Sequence, residues 1–238
     1  MSRYITLVAC ALLLWATTAQ AQPLTLRGEA NCTGSGTTCV ITVSVTAGDL
    51  VVIGARERDG NSITGCSGDS SGAYTAHPNN TSNAGMYYKI AASADTAVTC
   101  TWGATITGVA HGVAMVFNPN GATITLDQTN TATNTSTTSH SAGSITTTGS
   151  GVITSQHTVT SNPTSMTGTA GFTGTTEAVD RQLVQYKITS VGETTTSTIT
   201  TGGSVAGTGW NLSFLDGAGG GGGECTGGVM LLGAGKCD

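Results

Sequence analysis

The chain has 238 residues, of which 9% are charged and 5% aromatic, with thirty-five glycines and a net charge of −5. Charged residues make up about 25% of an ordinary domain, so this composition excludes a coiled coil, a charged disordered tail and an electrostatic binder of nucleic acid. The eight basic residues form no run, which also excludes a polybasic contact with anionic membranes.

Arg3 precedes an apolar run over residues 5–15, and Ala19-Gln20-Ala21 supplies the small residues of a cleavage site. Residues 1–21 are therefore expected to be a secretory signal peptide, with the mature chain starting at Gln22. Leu7-Val8-Ala9-Cys10 has the form of a lipoprotein box but follows too short an n-region. No later run approaches the ~20 apolar residues of a membrane span.

Threonine is about a fifth of the chain, and with valine and glycine it makes a vocabulary of strands and turns. Ile41, Val43 and Val45 alternate with polar residues, the period of a strand with one buried face. Leu50 to Ile53 is a short continuous apolar run, as for a strand buried on both sides. Val98, Cys100 and Trp102 share a face, and so do Val113, Met115 and Phe117. The same spacing recurs at Ile124 with Leu126, at Val184, Tyr186 and Ile188, and at Trp210, Leu212 and Phe214. Many short strands separated by turn residues predict an all-β, two-sheet antiparallel sandwich of jelly-roll type over residues 22–216.

An internal echo runs through this pattern. Tyr88-Lys89-Ile90 and Tyr186-Lys187-Ile188 match, and each precedes a Thr-rich strand and then an aromatic-ended one. This reads as two pseudo-repeated passes, built as two small sandwiches or as two halves of one; chance likeness of short β-strand vocabularies is the alternative. The length favours one domain. Residues 129–148, rich in Thr, Ser and Asn with no core-facing period, are expected to form a long exposed connection or an O-glycosylated patch. Residues 217–238 are expected to be a glycine-rich tail with a small Cys225/Cys237 loop.

Removing Cys10 leaves six cysteines, an even number that suits disulfides in an oxidising, extracellular or periplasmic compartment. Nearest-neighbour grouping pairs Cys32 with Cys39, Cys66 with Cys100 and Cys225 with Cys237, one of fifteen connectivities. None of the spacings suits a zinc site, no cofactor is expected, and the histidines at 77, 111, 140 and 157 read as surface or loop residues.

Cys66-Ser67-Gly68-Asp69-Ser70-Ser71-Gly72 resembles the nucleophile segment of trypsin-like proteases, and Gly68-x-Ser70-x-Gly72 resembles the hydrolase nucleophile elbow. No histidine precedes Ser70, and the elbow needs a parallel sheet with helices, so neither context is met. Arg56-Glu57-Arg58-Asp59 is similar to part of the Glu-x-Asp-x-Glu strand of jelly-roll glucanases, but Asn61 replaces the last carboxylate. Without that acid the cluster reads as a solvated strand end with Glu57 and Asp59 on one face.

Asp69-Ser70-Ser71-Gly72-Ala73-Tyr74-Thr75, followed by Tyr87-Tyr88 and Thr96-Ala97-Val98-Thr99, resembles concanavalin A-like, jelly-roll modules of secreted and phage-associated bacterial proteins. The resemblance covers residues 40–215 in pattern and implies extracellular attachment, glycan contact or particle decoration. The expected function is surface attachment or glycan binding without catalysis, with a polysaccharide or cell-surface glycan as partner. A structural component of a surface layer or phage particle is the alternative, and a glycoside hydrolase the third. The candidate binding residues are Tyr74 and Tyr87, as exposed aromatics able to stack on a sugar ring, together with Asp59 and Asp69.

Overall fold

The computed structural model describes residues 24–119, 123–177 and 181–217. Within them the chain is all-β and folds into two antiparallel sheets. The expected signal peptide (residues 1–21) and the expected Cys225/Cys237 loop lie outside the described residues.

The first half supplies β1 (Thr25–Val45), β2 (Leu50–Glu57), β3 (Ile63–Gly68), β4 (Gly72–Ala73), β5 (Thr75–Ala76), β6 (Ala84–Ile90) and β7 (Asp95–Asn118). They pair in the order β4-β3-β7-β2-β6-β5, with β1 also on β7. The second half supplies β8 (Ile124–Thr146), β9 (Gly151–Val159), β10 (Met166–Gly168), β11 (Thr173–Glu177), β12 (Gln182–Thr189) and β13 (Thr194–Asp216). Their order is β10-β13-β9-β12-β11, with β8 on β13, so the second half repeats the topology of the first. The register repeats too: Leu50 lies opposite Phe117 and Val52 opposite Tyr88, as Val152 lies opposite Phe214 and Thr154 opposite Tyr186. The Tyr-Lys-Ile echo falls on the equivalent strands β6 and β12, and each half of the chain makes its own sheet.

Each long strand pair folds over itself. Residues 25–34 of β1 pair with 110–118 of β7, whereas residues 38–45 pair with 95–101. The bend centres on Gly36, whose φ of 112° needs a residue without a Cβ. Disulfide Cys32–Cys39 spans this bend, and Cys66–Cys100 ties β3 to β7 at directly opposite positions. Val98, Cys100, Trp102, Ile41, Val43 and Val45 all face the apolar core so enclosed.

β8 corrects the expectation of an exposed connection over 129–148. It bends at Ser136, and Asn134 bridges the bend by accepting from the Ser141 amide (3.1 Å) and donating to the Ser141 carbonyl (2.9 Å). Asn130 donates to Ser144 O (2.8 Å) and Gln128 to Thr146 O (2.6 Å). The inward positions therefore carry amides, which satisfy backbone carbonyls and leave no apolar period to read. Leu126 departs from the expected pairing with Ile124: it sits beside a register shift and is exposed.

Between the sheets lies a second core containing Leu50, Val52, Met86, Phe117, Val184, Trp210, Leu212 and Phe214. Two edge-to-face aromatic pairs cross it reciprocally, Tyr88 with Phe214 (5.2 Å) and Phe117 with Tyr186 (5.3 Å). Polar side chains close its margin: Gln182 Nε2 donates to Gly54 O (2.9 Å), Gln156 Nε2 to Ala55 O (3.0 Å) and Trp210 Nε1 to Asn79 O (2.8 Å). A Cβ on Gly54 would stand 2.6 Å from Val184 Cγ2, so glycine is what lets the sheets approach here. Gly54→Ala is expected to cost about 1 to 3 kcal/mol in urea unfolding. Gly34→Ala, where a Cβ meets nothing within 4 Å, is expected to be close to neutral.

The interior of the second half is polar where that of the first is apolar. Register places Ser155, His157, Gln185 and Asn211 at the positions of Ile53, Ala55, Tyr87 and Ala114. Ser197 Oγ joins His157 Nε2 (2.8 Å), Ser155 Oγ (2.6 Å) and Gln185 Nε2 (2.8 Å). His111, His140 and His157 are buried at strand positions, against the expectation of surface or loop residues, whereas His77 is a loop residue, between β5 and β6, but buried, its ring accepting from the Asn79 amide (3.1 Å). Burial, aided by the charge of His140, pushes His157 down to about 3. Between pH 6.5 and 3 the unfolded chain thus binds more protons at this site than the folded one, and stability falls as the pH falls. The full effect is on the order of 5 kcal/mol. From pH 7 to 5 the urea midpoint is expected to drop, with a shallower dependence in a folded His157→Gln variant.

Candidate functional site

The structure places the four sequence-predicted binding residues in structural roles and does not bring them together as one surface. Tyr74 and Tyr87 are buried in the first-half core, which corrects their reading as exposed aromatics. The tyrosines lie on strands or turns whose inner face is closed over by the fold of β1 and β7. Desolvation raises the pKa of both hydroxyls.

Asp59 lies beyond the end of β2 and accepts from the Thr107 and Gly108 amides (2.7 Å each) and from Thr107 Oγ1 (3.1 Å). These bonds hold its carboxyl below the usual range. Asp69 accepts from Thr96 Oγ1 (2.7 Å) and the Thr96 amide (3.1 Å), which likewise lowers its pKa, and so pins the β3–β4 turn to the start of β7. The same turn is capped from Asp95, which accepts from the Ser70 and Ser71 amides (2.7 Å each). The Asp-Ser-Ser-Gly motif is therefore a turn locked by two carboxylates, and Ser70 contributes its backbone.

Glu57 is buried, not solvated, and accepts from the Asp59 amide (2.5 Å). Desolvation raises its pKa. Since β2 ends at Glu57, Glu57 and Asp59 do not share a strand face.

A different site forms where the two halves meet. At the open end of the seam a cleft of about 320 Å³ is lined by Arg56, Arg58 and Arg181 together with threonines and asparagines from both halves. The strand register explains its make-up. Arg56 is equivalent to Thr158, Arg58 to Thr160 and Asn83 to Arg181, and the backbone confirms the match: Glu57 N donates to Asn83 O (2.9 Å) as Val159 N donates to Arg181 O (3.0 Å). At each equivalent pair one half supplies arginine and the other a small polar residue. Three of the chain's eight basic residues converge on this one place. No acidic or aromatic residue lines the cleft among the described residues.

The arginines differ in their use. Arg56 is buried and donates to Val159 O (2.6 Å) and to Arg181 O, so it fastens the two sheets. Arg181, at a φ of 62°, donates through Nη1 to Thr160 O (2.6 Å) and through Nε to Asn162 Oδ1, which fixes its guanidinium plane. Desolvation and then the charge of Arg58 lower its pKa. Arg58 is half-buried and makes no hydrogen bond or ion pair among the described residues.

Sequence reading singled out Arg58 only as part of a charge cluster and missed Arg181, which lies far along the chain. The echo of the two halves is the signal that relates their positions. Among the described residues no group of three or more His, Cys, Asp or Glu side chains could hold a metal ion, and no helix is long and apolar enough to cross a membrane. Compared with known proteins, the chain matches no family model, no curated protein and no solved structure.

Proposed function

We propose that the mature chain is a secreted, non-catalytic β-sandwich that attaches to surfaces by binding a glycan in the cleft between its sheets. The observation that carries this reading is the cleft itself, a concave site whose arginines and whose hydroxyl and amide groups come from both halves. Two disulfides in the described residues suit an extracellular or periplasmic setting. A sandwich is also the architecture expected of the concanavalin A-like modules that the sequence resembles.

The candidates for catalysis are otherwise engaged, which supports binding over hydrolysis. Asp59 and Asp69 hold backbone amides, and Glu57 is buried. His157 and Ser197 hydrogen-bond to each other but both are sealed inside the second half, out of reach of a substrate. The reading has no cofactor and, with a net charge of −5, no nucleic-acid partner.

Thr133 is exposed on β8 at the lip of the cleft, so Thr133→Trp fills the site without changing its charge. Oxidised protein comprising residues 22–238 is expected to be retained saturably on insoluble polysaccharide, peptidoglycan or whole cells, and the variant to bind at least about tenfold more weakly. Equal retention of the variant would move the site elsewhere. No retention of folded protein on any surface would overturn glycan attachment. It would favour the alternative of a surface-layer or particle component, for which the outer edge of β1, paired to no further strand among the described residues, offers a place for a second copy to add.

A further inference from the structure

We propose that the cleft is specific for a carboxylated saccharide, whose carboxylate lies between the guanidinium groups of Arg58 and Arg181 while its hydroxyls meet the threonines and asparagines of the lining. This rests on the reading of the cleft as a glycan site and adds the chemistry of its ligand.

Like charges repel, and a chain with so few basic residues gathers three of them here. Arg56 is accounted for by its bonds to two carbonyls across the seam. One of those carbonyls belongs to Arg181, so Arg56 also positions the backbone from which Arg181 projects. Arg181 is held rigid by Thr160 and Asn162 through Nε and Nη1, and these bonds leave its Nη2 edge uncommitted among the described residues. Arg58 makes no hydrogen bond or ion pair among those residues, and the Asp59 carboxylate, whose pKa its charge helps to lower, is committed to the Thr107 and Gly108 amides outside the cleft lining. Two guanidinium forks, one fixed and one adjustable, suit the two oxygens of a single carboxylate, which would also offset their mutual repulsion.

The rest of the lining separates an acidic sugar from a neutral one. Neutral glycans are commonly gripped by an aromatic face, and none lines the cleft among the described residues. Thr81, Thr133, Thr135, Thr160 and Thr208, with Asn83, offer hydroxyl and amide groups that can exchange hydrogen bonds with a polyhydroxylated ring. With about 320 Å³, the cleft sits at the lower end of the range for small-molecule sites, which suits a short segment or a chain end. The overall charge of −5 repels long polyanions at a distance, so recognition is local.

The test titrates oxidised protein of residues 22–238 with trigalacturonate, a hyaluronan tetrasaccharide and sialyllactose, each beside its carboxyl methyl ester, by calorimetry. At least one acid is expected to bind about tenfold or more tighter than its ester. Arg58→Gln, checked for an unchanged urea midpoint, is expected to lose that preference, and Thr133→Trp to lose binding of both forms. Acid and ester binding alike, or a preference that survives Arg58→Gln, would overturn the carboxylate assignment and leave the glycan reading standing. No binding of any acid or ester by the folded protein would overturn both.

Discussion

Two aromatic pairs hold this molecule in its shape. Tyr88 of the first half packs edge-on against Phe214 of the second, and Phe117 of the first against Tyr186 of the second. Such contacts are worth roughly 0.5 to 1.5 kcal/mol each beyond the apolar area they bury. Their reciprocity matters more than their strength. Each half offers the same two positions to the other, so the seam has the self-complementary logic of a symmetric dimer interface built within one chain. The close approach at Gly54, packed against Val184, belongs to the same seam.

The halves share a topology but stabilise their interiors by different means. The first folds its long hairpin around an apolar core and spans the bend with Cys32–Cys39. The second spans the equivalent bend with an asparagine that pairs with the Ser141 backbone, and its interior combines a hydrogen-bonded group around Ser197 with a small apolar cluster of Val159, Met166, Leu183, Ile199 and Val205. A buried polar group is costly unless partnered, and the low pKa of His157 expresses that cost. The same divergence produces the cleft. Equivalent positions carry arginine in one half and threonine or asparagine in the other, so an open end of the seam that would otherwise be uniform gains guanidinium groups and hydroxyl or amide groups from both halves.

Wherever inward residues are apolar, the fold was legible in the sequence. Ile41, Val43 and Val45 show the period of two, Leu50 to Ile53 shows burial on both faces, and the Tyr-Lys-Ile echo marks equivalent strands. Nearest-neighbour grouping also matched both disulfides of the first half. β8 was illegible because Gln128, Asn130 and Asn134 face inward and look like loop residues. Tyr74, beside a turn, and Tyr87, on the face opposite Met86 and Tyr88, are buried against expectation because neither a turn nor alternation says whether both faces are covered. The cleft joins Arg58 and Arg181 across the seam, a relation that depends on sheet packing and not on local sequence.

The central claim is that the two halves form one cooperative unit around a shared seam. Residues 22–238 contain two of the three tryptophans, Trp102 in the first-half core and Trp210 in the seam. Urea unfolding followed by fluorescence in Trp210→Phe and Trp102→Phe variants reports on each region separately, with far-UV circular dichroism on each variant as the global reference. The account predicts that, in each variant, the fluorescence and dichroism transitions coincide. Transitions within one variant separated by more than about 0.5 M urea would show regions that unfold independently, and would contradict it.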